Sequence, residues 1–176
     1  IGQYLSRDGW DVTFMTQRTG AKADGINAVV YRDRDVKEEH KIRHPFLAST
    51  GKAVVTGTSA LEVAQHLTHE KGYTPDIIVA HSGWGPGLFM KDVWPDAAYV
   101  GYFEWYYRGE ADDIVFMNGP GRPAMEGARE RIRNSPIVAD LITCDLGIVP
   151  TRYQASPFPD LFSSQLRVLP DGIDPG

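Results

Sequence analysis

Apolar positions along the chain recur with two spacings, every second residue and every third or fourth, and the two take turns. Such alternation predicts strands and helices in succession, the pattern of an α/β layered domain. Ile1–Gly9 reads as the end of a helix, with Tyr4 and Leu5 facing a core and Gly9 closing it. Asp11–Thr16 (DVTFMT) alternates and is rich in β-forming residues, so it predicts a strand. Gln17–Gly25 is polar and reads as a loop, and Asn27–Tyr31 as a second short strand. Arg32–Lys41 is dense in charge and has no apolar face, which predicts a solvated loop.

A long helix is predicted over Phe46–Lys71, with Gly51 and Gly57 as points of bending or close packing and Gly72 as its end. Ile77–Ala80 (IIVA) is a continuous apolar run, as in strands buried on both faces of a parallel sheet. A Gly-rich loop, His81–Gly87 (HSGWGPG), follows it directly. Then come a short helix at Leu88–Trp94, a strand at Ala98–Phe103 and a long loop over Arg108–Pro123. Ala124–Cys144 is a strong helix that Pro136 divides, Leu146–Val149 a buried strand, and Thr151 an N-cap. Pro159–Leu166 predicts a last short helix and Arg167–Pro170 a last strand.

Helix and strand thus alternate with short connections, which favours a Rossmann-like, doubly wound, mostly parallel sheet with right-handed crossovers. Ligands of such sheets sit outside the carboxyl ends of the strands. Three segments occupy that position: His81-Ser82-Gly83-Trp84-Gly85, Glu104–Tyr107 and Thr151–Gln154. Gly83 and Gly85 let backbone approach a ligand, Trp84 offers a flat face for a sugar ring, and His81 offers two ring nitrogens. Glu104, followed by three aromatic residues, supplies a carboxylate for a hydroxyl or a proton. A tight turn around Trp84 and a structural pairing of Glu104 with Arg108 are the plainer readings.

Composition narrows the field. The 176 residues suffice for one domain with a full core. A net charge of −5 leaves no electrostatic footprint for nucleic acid. Cys144 is the only cysteine, so a disulfide framework within the chain and a thiolate metal cluster are both excluded. No apolar run is long enough to span a bilayer, and no leader is visible. The expected location is cytoplasmic or peripheral at the inner face of the membrane. His66, His69 and Glu70 (HLTHE) lack the order of a zinc-hydrolase motif, and His40 and His44 lack a third ligand, so no metal is expected. Thr50-Gly51-Lys52 lacks the spacing of a phosphate loop, and neither Ser82 nor Ser163 lies in a nucleophile elbow.

Pro75–Tyr107 (PDIIVAHSGWGPGLFMKDVWPDAAYVGYFEWYY) resembles the N-terminal domain of family 4 glycosyltransferases, and in particular a bacterial subgroup. Ala139–Asp174, with its T-x-x-Q, FP and terminal DGID, resembles the end of that domain, and Gly9–Thr16 extends the likeness over nearly the whole chain. The resemblance implies a retaining enzyme of two Rossmann-like halves with the active site between them. It reads residues 1–176 as the acceptor-side half, cut at both ends and lacking the first strand, with the C-terminal nucleotide-sugar domain absent. It also implies hexosyl transfer in polysaccharide biosynthesis, from a nucleoside-diphosphate sugar to a glycan or lipid-linked acceptor. No cofactor is expected in this half, and the half alone is expected to be inactive and to self-associate. A histidine follows the fourth strand in many members, whereas Glu104-Trp105 stands there in this chain. The candidate catalytic residues are therefore His81 and Glu104, and the acceptor wall adds Gly83, Trp84, Gly85, Tyr106, Thr151 and Gln154. A non-catalytic Rossmann-like module that binds a glycan or a protein is the alternative.

Overall fold

The computed structural model describes residues 1–41, 44–108, 116, 119 and 124–172. Helix α1 (Gly2–Arg7) leads into β1 (Val12–Thr16) and β2 (Ile26–Val30). The long helix α2 (Ala48–Lys71) precedes β3 (Ile77–His81), the short α3 (Met90–Val93) and β4 (Ala98–Tyr102). Helices α4 (Ala124–Arg133) and α5 (Ser135–Thr143), then β5 (Leu146–Val149), α6 (Arg152–Ala155) and β6 (Leu166–Val168) complete the order. Most of the predicted loop Arg108–Pro123 and the end of DGID lie outside the described residues.

All strand pairings within the sheets are parallel, as the alternation of elements predicts. The expected single sheet is, however, two: β1-β2, and β3-β4-β5-β6. Strands β1 and β3 each end a sheet, and no described strand joins those edges by a ladder. This position also corrects the expectation that the third strand is buried on both faces. Ile78 is buried, but Val79 on the opposite face is 61% exposed, because no described element covers that side. The two-stranded sheet is irregular in another way. The loop Gln17–Gly25 alone connects its parallel strands, where a helical crossover is usual.

Helix α2 forms the backbone of the packing. Its buried face is made of small residues, among them Gly51, Ala53, Gly57, Ala60 and Ala64. A methyl group at Gly57 would run into the carbonyl of Gly85 and the ring of Phe89. The helix therefore continues unbroken through Gly57, and that glycine permits close approach rather than a bend. Gly72 ends the helix in the left-handed region (φ 61°), with Tyr73 N–H donating to Leu67 O and Gly72 N–H to Thr68 O. Capping of this kind satisfies the last carbonyls.

Leu141, Val149, Tyr99 and Phe103 form the most deeply buried part of the core, between α5 and the four-stranded sheet. The predicted helix over Ala124–Cys144 divides at Asn134, and Pro136 falls in the first turn of α5, where its missing N–H costs nothing. The predicted helix at Pro159–Leu166 is only a single 3-10 turn, Asp160–Phe162, and the last strand begins one residue early, at Leu166. Register with β5 sets that start, since Leu166 pairs with Gly147. Arg32–Lys41 is a loop with one 3-10 turn at Glu38–His40, tied to α2 by Thr56 Oγ1 donating to Asp33 and by an Arg34–Glu62 ion pair.

Candidate functional site

Parallel pairing of β3 and β4 places His81 level with Tyr102, so their chain continuations leave the sheet side by side. His81 is thus the last residue of its strand, not the first of the loop. Beyond it Gly83 (φ 84°) and Gly85 (φ 106°) turn the backbone sharply. Both conformations lie where only glycine is relaxed. A side chain at Gly85 would also strike the Ala53 carbonyl of α2. The loop is pinned there, and Trp84 between the glycines stands outward, 63% exposed. Its indole is an exposed apolar face at the carboxyl rim of a parallel sheet, the region where ligands of such sheets sit.

Glu104 follows β4 and meets His81 across the rim, Oε2 to Nε2 at 3.2 Å. The His81 ring also lies 6.3 Å from that of Trp84 and 5.3 Å from that of Tyr102. A cavity of about 130 Å³ opens beside this pair. Its walls come from β3 and its loop (His81, Ser82, Gly83, Trp84), from the end of β4 (Glu104, Trp105, Tyr107), and from helices α2, α4 and α5. It is smaller than the 300–1,000 Å³ typical of sites that enclose a whole ligand.

Asp140 supports the loop from beneath. It is fully buried on α5 and accepts bonds from Ser82 Oγ (2.7 Å), Tyr99 Oη (2.9 Å) and the Gly83 N–H (3.3 Å). Burial pushes its carboxyl above the ordinary range, opposed by those three donors. Burial and the neighbouring Asp140 also push the Tyr99 phenol up, so it remains a donor. Tyr102 donates to Asp171 (2.8 Å), and its phenol is pushed up to about 12 by burial and by that carboxylate. Cys144 is buried, with its thiol pushed up to about 11 by burial, which makes it an unreactive core residue.

The third rim segment meets the second from the side. Thr151 caps α6 by accepting from the Gln154 N–H (3.1 Å), and Gln154 Nε2 donates to the Glu104 carbonyl (3.1 Å). Thr151 and Gln154 thus buttress Glu104 without lining the cavity. Tyr106 turns inward onto Phe158 (ring centroids 5.3 Å apart), while its neighbours Trp105 and Tyr107 reach the cavity. Gly85 lies behind the wall, against α2. The fold brings His81, Gly83, Trp84 and Glu104 together at the cavity.

Sequence reading passed over Ser49 and Arg133 and weighed Lys52 only in a phosphate-loop pattern that it rejected; all three residues line the same cavity, from helices distant in the chain. It also passed over Asp140, although a signal was present. An acid between Ile137 and Leu141 interrupts an apolar stripe, and a buried acid needs partners. Among the described residues no group of three His, Cys, Asp or Glu side chains could hold a metal ion, and no helix is long and apolar enough to cross a membrane.

Parallel strands flanked by helices, with a small cavity at their carboxyl rim, define a Rossmann-like α/β domain. The chain belongs to the glycosyl transferase family 4 group, whose family model matches residues 8–175. No curated protein matches the chain.

Proposed function

We propose that this chain is the acceptor-side half of a retaining glycosyltransferase, which moves a sugar from a nucleoside-diphosphate sugar to a glycan or lipid-linked acceptor. The observation that carries the reading is the convergence of His81, Trp84 and Glu104 on one small, open cavity. Trp84 would stack on the acceptor ring, and Glu104, steadied by His81, would accept a hydrogen bond from the attacking hydroxyl. A second lobe would hold the donor and close the cleft, its cations and helix N-termini stabilising the departing diphosphate. Orientation of the two substrates across the cleft would supply much of the rate, so this half alone should not turn over.

The test is transfer by the enzyme carrying both lobes. With His81→Ala or Glu104→Ala, kcat/KM for the acceptor should fall by about 10²-fold, the lower range for a group that handles a proton. Unchanged kinetics in both variants would remove this cavity from the reaction.

A further inference from the structure

We propose that the group entering the cavity carries a phosphate, recognised by Lys52 and Arg133. The inference rests on the acceptor-wall reading above and adds the chemical class of the acceptor. Thr50 Oγ1 on α2 donates to the carbonyl of Ile132 on α4 at 3.2 Å. This bond ties the first turn of α2 to the last turn of α4. Lys52 and Arg133, each close to one end of the tie, both reach the cavity wall as a result.

Arg133 is held for such a task. Its guanidinium lies 3.6 Å over the ring of Tyr107. Tyr107 is clamped in turn by the buried Asn134, which accepts from the Tyr107 N–H (2.9 Å) and donates to the Tyr107 carbonyl (2.7 Å). Stacking covers a face of the guanidinium and leaves its in-plane N–H groups for an anion. Glu130 forms an ion pair with Arg133, Oε2 to Nη1 at 3.8 Å, without a hydrogen bond between those two atoms. Lys52 has no carboxylate within 4.0 Å among the described residues. The one carboxylate in the wall, Glu104, already faces His81. Two cationic residues from separate helices, with Ser49, therefore line a cavity whose own wall holds one carboxylate, Glu104. In a chain of net charge −5 this is a local reversal of sign. A phosphate, with several oxygens directed outward, takes bonds from donors so separated. The volume suits one ring or head group, not a nucleotide.

The phosphate has two conceivable sources, a soluble sugar phosphate and the head of a polyprenyl phosphate. Binding to the purified chain would be followed by amide chemical shifts with inorganic phosphate, glucose 6-phosphate and glucose. Co-sedimentation would use phosphatidylcholine vesicles with and without polyprenyl phosphate. We expect glucose 6-phosphate, or the doped vesicle, to bind on the order of ten-fold more tightly than its uncharged counterpart, the weight of one charge-assisted hydrogen bond. Lys52→Gln should remove most of that preference and Lys52→Arg should keep it. Lys52 is exposed, so its variants test recognition without disturbing the core. Arg133→Gln should act likewise, with a thermal melt to confirm folding. Equal binding of charged and neutral probes in both arms, or a preference that survives Lys52→Gln, would overturn the proposal. Trp84→Ala separates this from the parent reading. It should weaken glucose and glucose 6-phosphate alike. If it changes neither while the phosphate preference persists, the stacking wall fails and the anion site stands.

Discussion

His81 Nε2 lies 3.2 Å from Glu104 Oε2, across the carboxyl ends of two paired parallel strands. Neither residue is near the other in sequence: His81 is the last residue of β3, and Glu104 stands two residues past the end of β4. If Glu104 accepts a proton, Glu104→Gln in the two-lobed enzyme should lose as much kcat as Glu104→Ala. If it only positions a hydroxyl, the amide should restore kcat to within about ten-fold of the parent, since one neutral hydrogen bond is at stake. Comparing the two variants at saturating acceptor decides between the roles.

Asp140 is the buried support of the Trp84 loop, and its replacement by Asn should be costly. The carboxylate accepts from three donors, Ser82, Tyr99 and Gly83. Asn offers one acceptor oxygen and turns an N–H pair toward at least one of those donors. A loss of about 1–3 kcal/mol is expected from the unsatisfied group. Urea unfolding at neutral pH measures it, and a change below about 0.5 kcal/mol, the level of an ordinary surface substitution, would deny the network its role.

Gly85→Ala combines two penalties, a left-handed φ of 106° and a clash with the Ala53 carbonyl. Destabilisation of about 2 kcal/mol or more is expected. Gly9→Ala, at φ 93° with no atom near the added methyl, should cost less. Thermal melts of the two variants separate the clash from the backbone strain.

Asp145 provides a pH signature. The Tyr99 N–H donates to it at 2.7 Å and Lys91 Nζ stands at 3.4 Å, and together they hold its carboxyl below the ordinary 3.8. An acid depressed in the folded state binds more protons when unfolded, so its contribution is present above 3.8 and disappears as pH falls through the folded value. Tm should therefore decline more steeply below about pH 4 in the parent chain than in Asp145→Asn. Parallel curves would rule out the effect.

Self-association is expected from the open edges. β1 and β3 each leave a ladder unfilled, and Phe14, Ile77 and Val79 expose apolar surface beside them. Unprotected edges of this kind pair with other chains. Light scattering should show species heavier than the 19.5 kDa monomer. A Val79→Lys change should reduce them by placing a charge on the edge. A monomer at high concentration in the parent chain would refute this.

Much of the fold was legible because it is written in local pattern. Runs such as IIVA and LGIV, glycines after helices and a Thr at an N-cap each act over a few residues, and the strands and the long helix lie within a residue or two of their predicted bounds. The rim residues His81, Trp84 and Glu104 were legible for a related reason, since a parallel sheet makes every strand end a place for ligands. Side-chain direction was not. Tyr106 and Tyr107 are adjacent and chemically alike, yet one packs on Phe158 and the other lines the cavity. Opposite sides of an extended segment explain that difference, but nothing in the letters says which side faces in.

Periodicity and turn chemistry were enough to establish an α/β chain of parallel strands with His81, Trp84 and Glu104 at their carboxyl rim, because those properties depend on neighbours in sequence. The division into two sheets, the joining of Lys52 to Arg133 through Thr50 and Ile132, and the burial of Asp140 beneath Ser82 came only with the packed molecule. They depend on contacts between residues tens of positions apart, and such contacts are set by how helices and sheets fill space together, not by the pattern within any one of them.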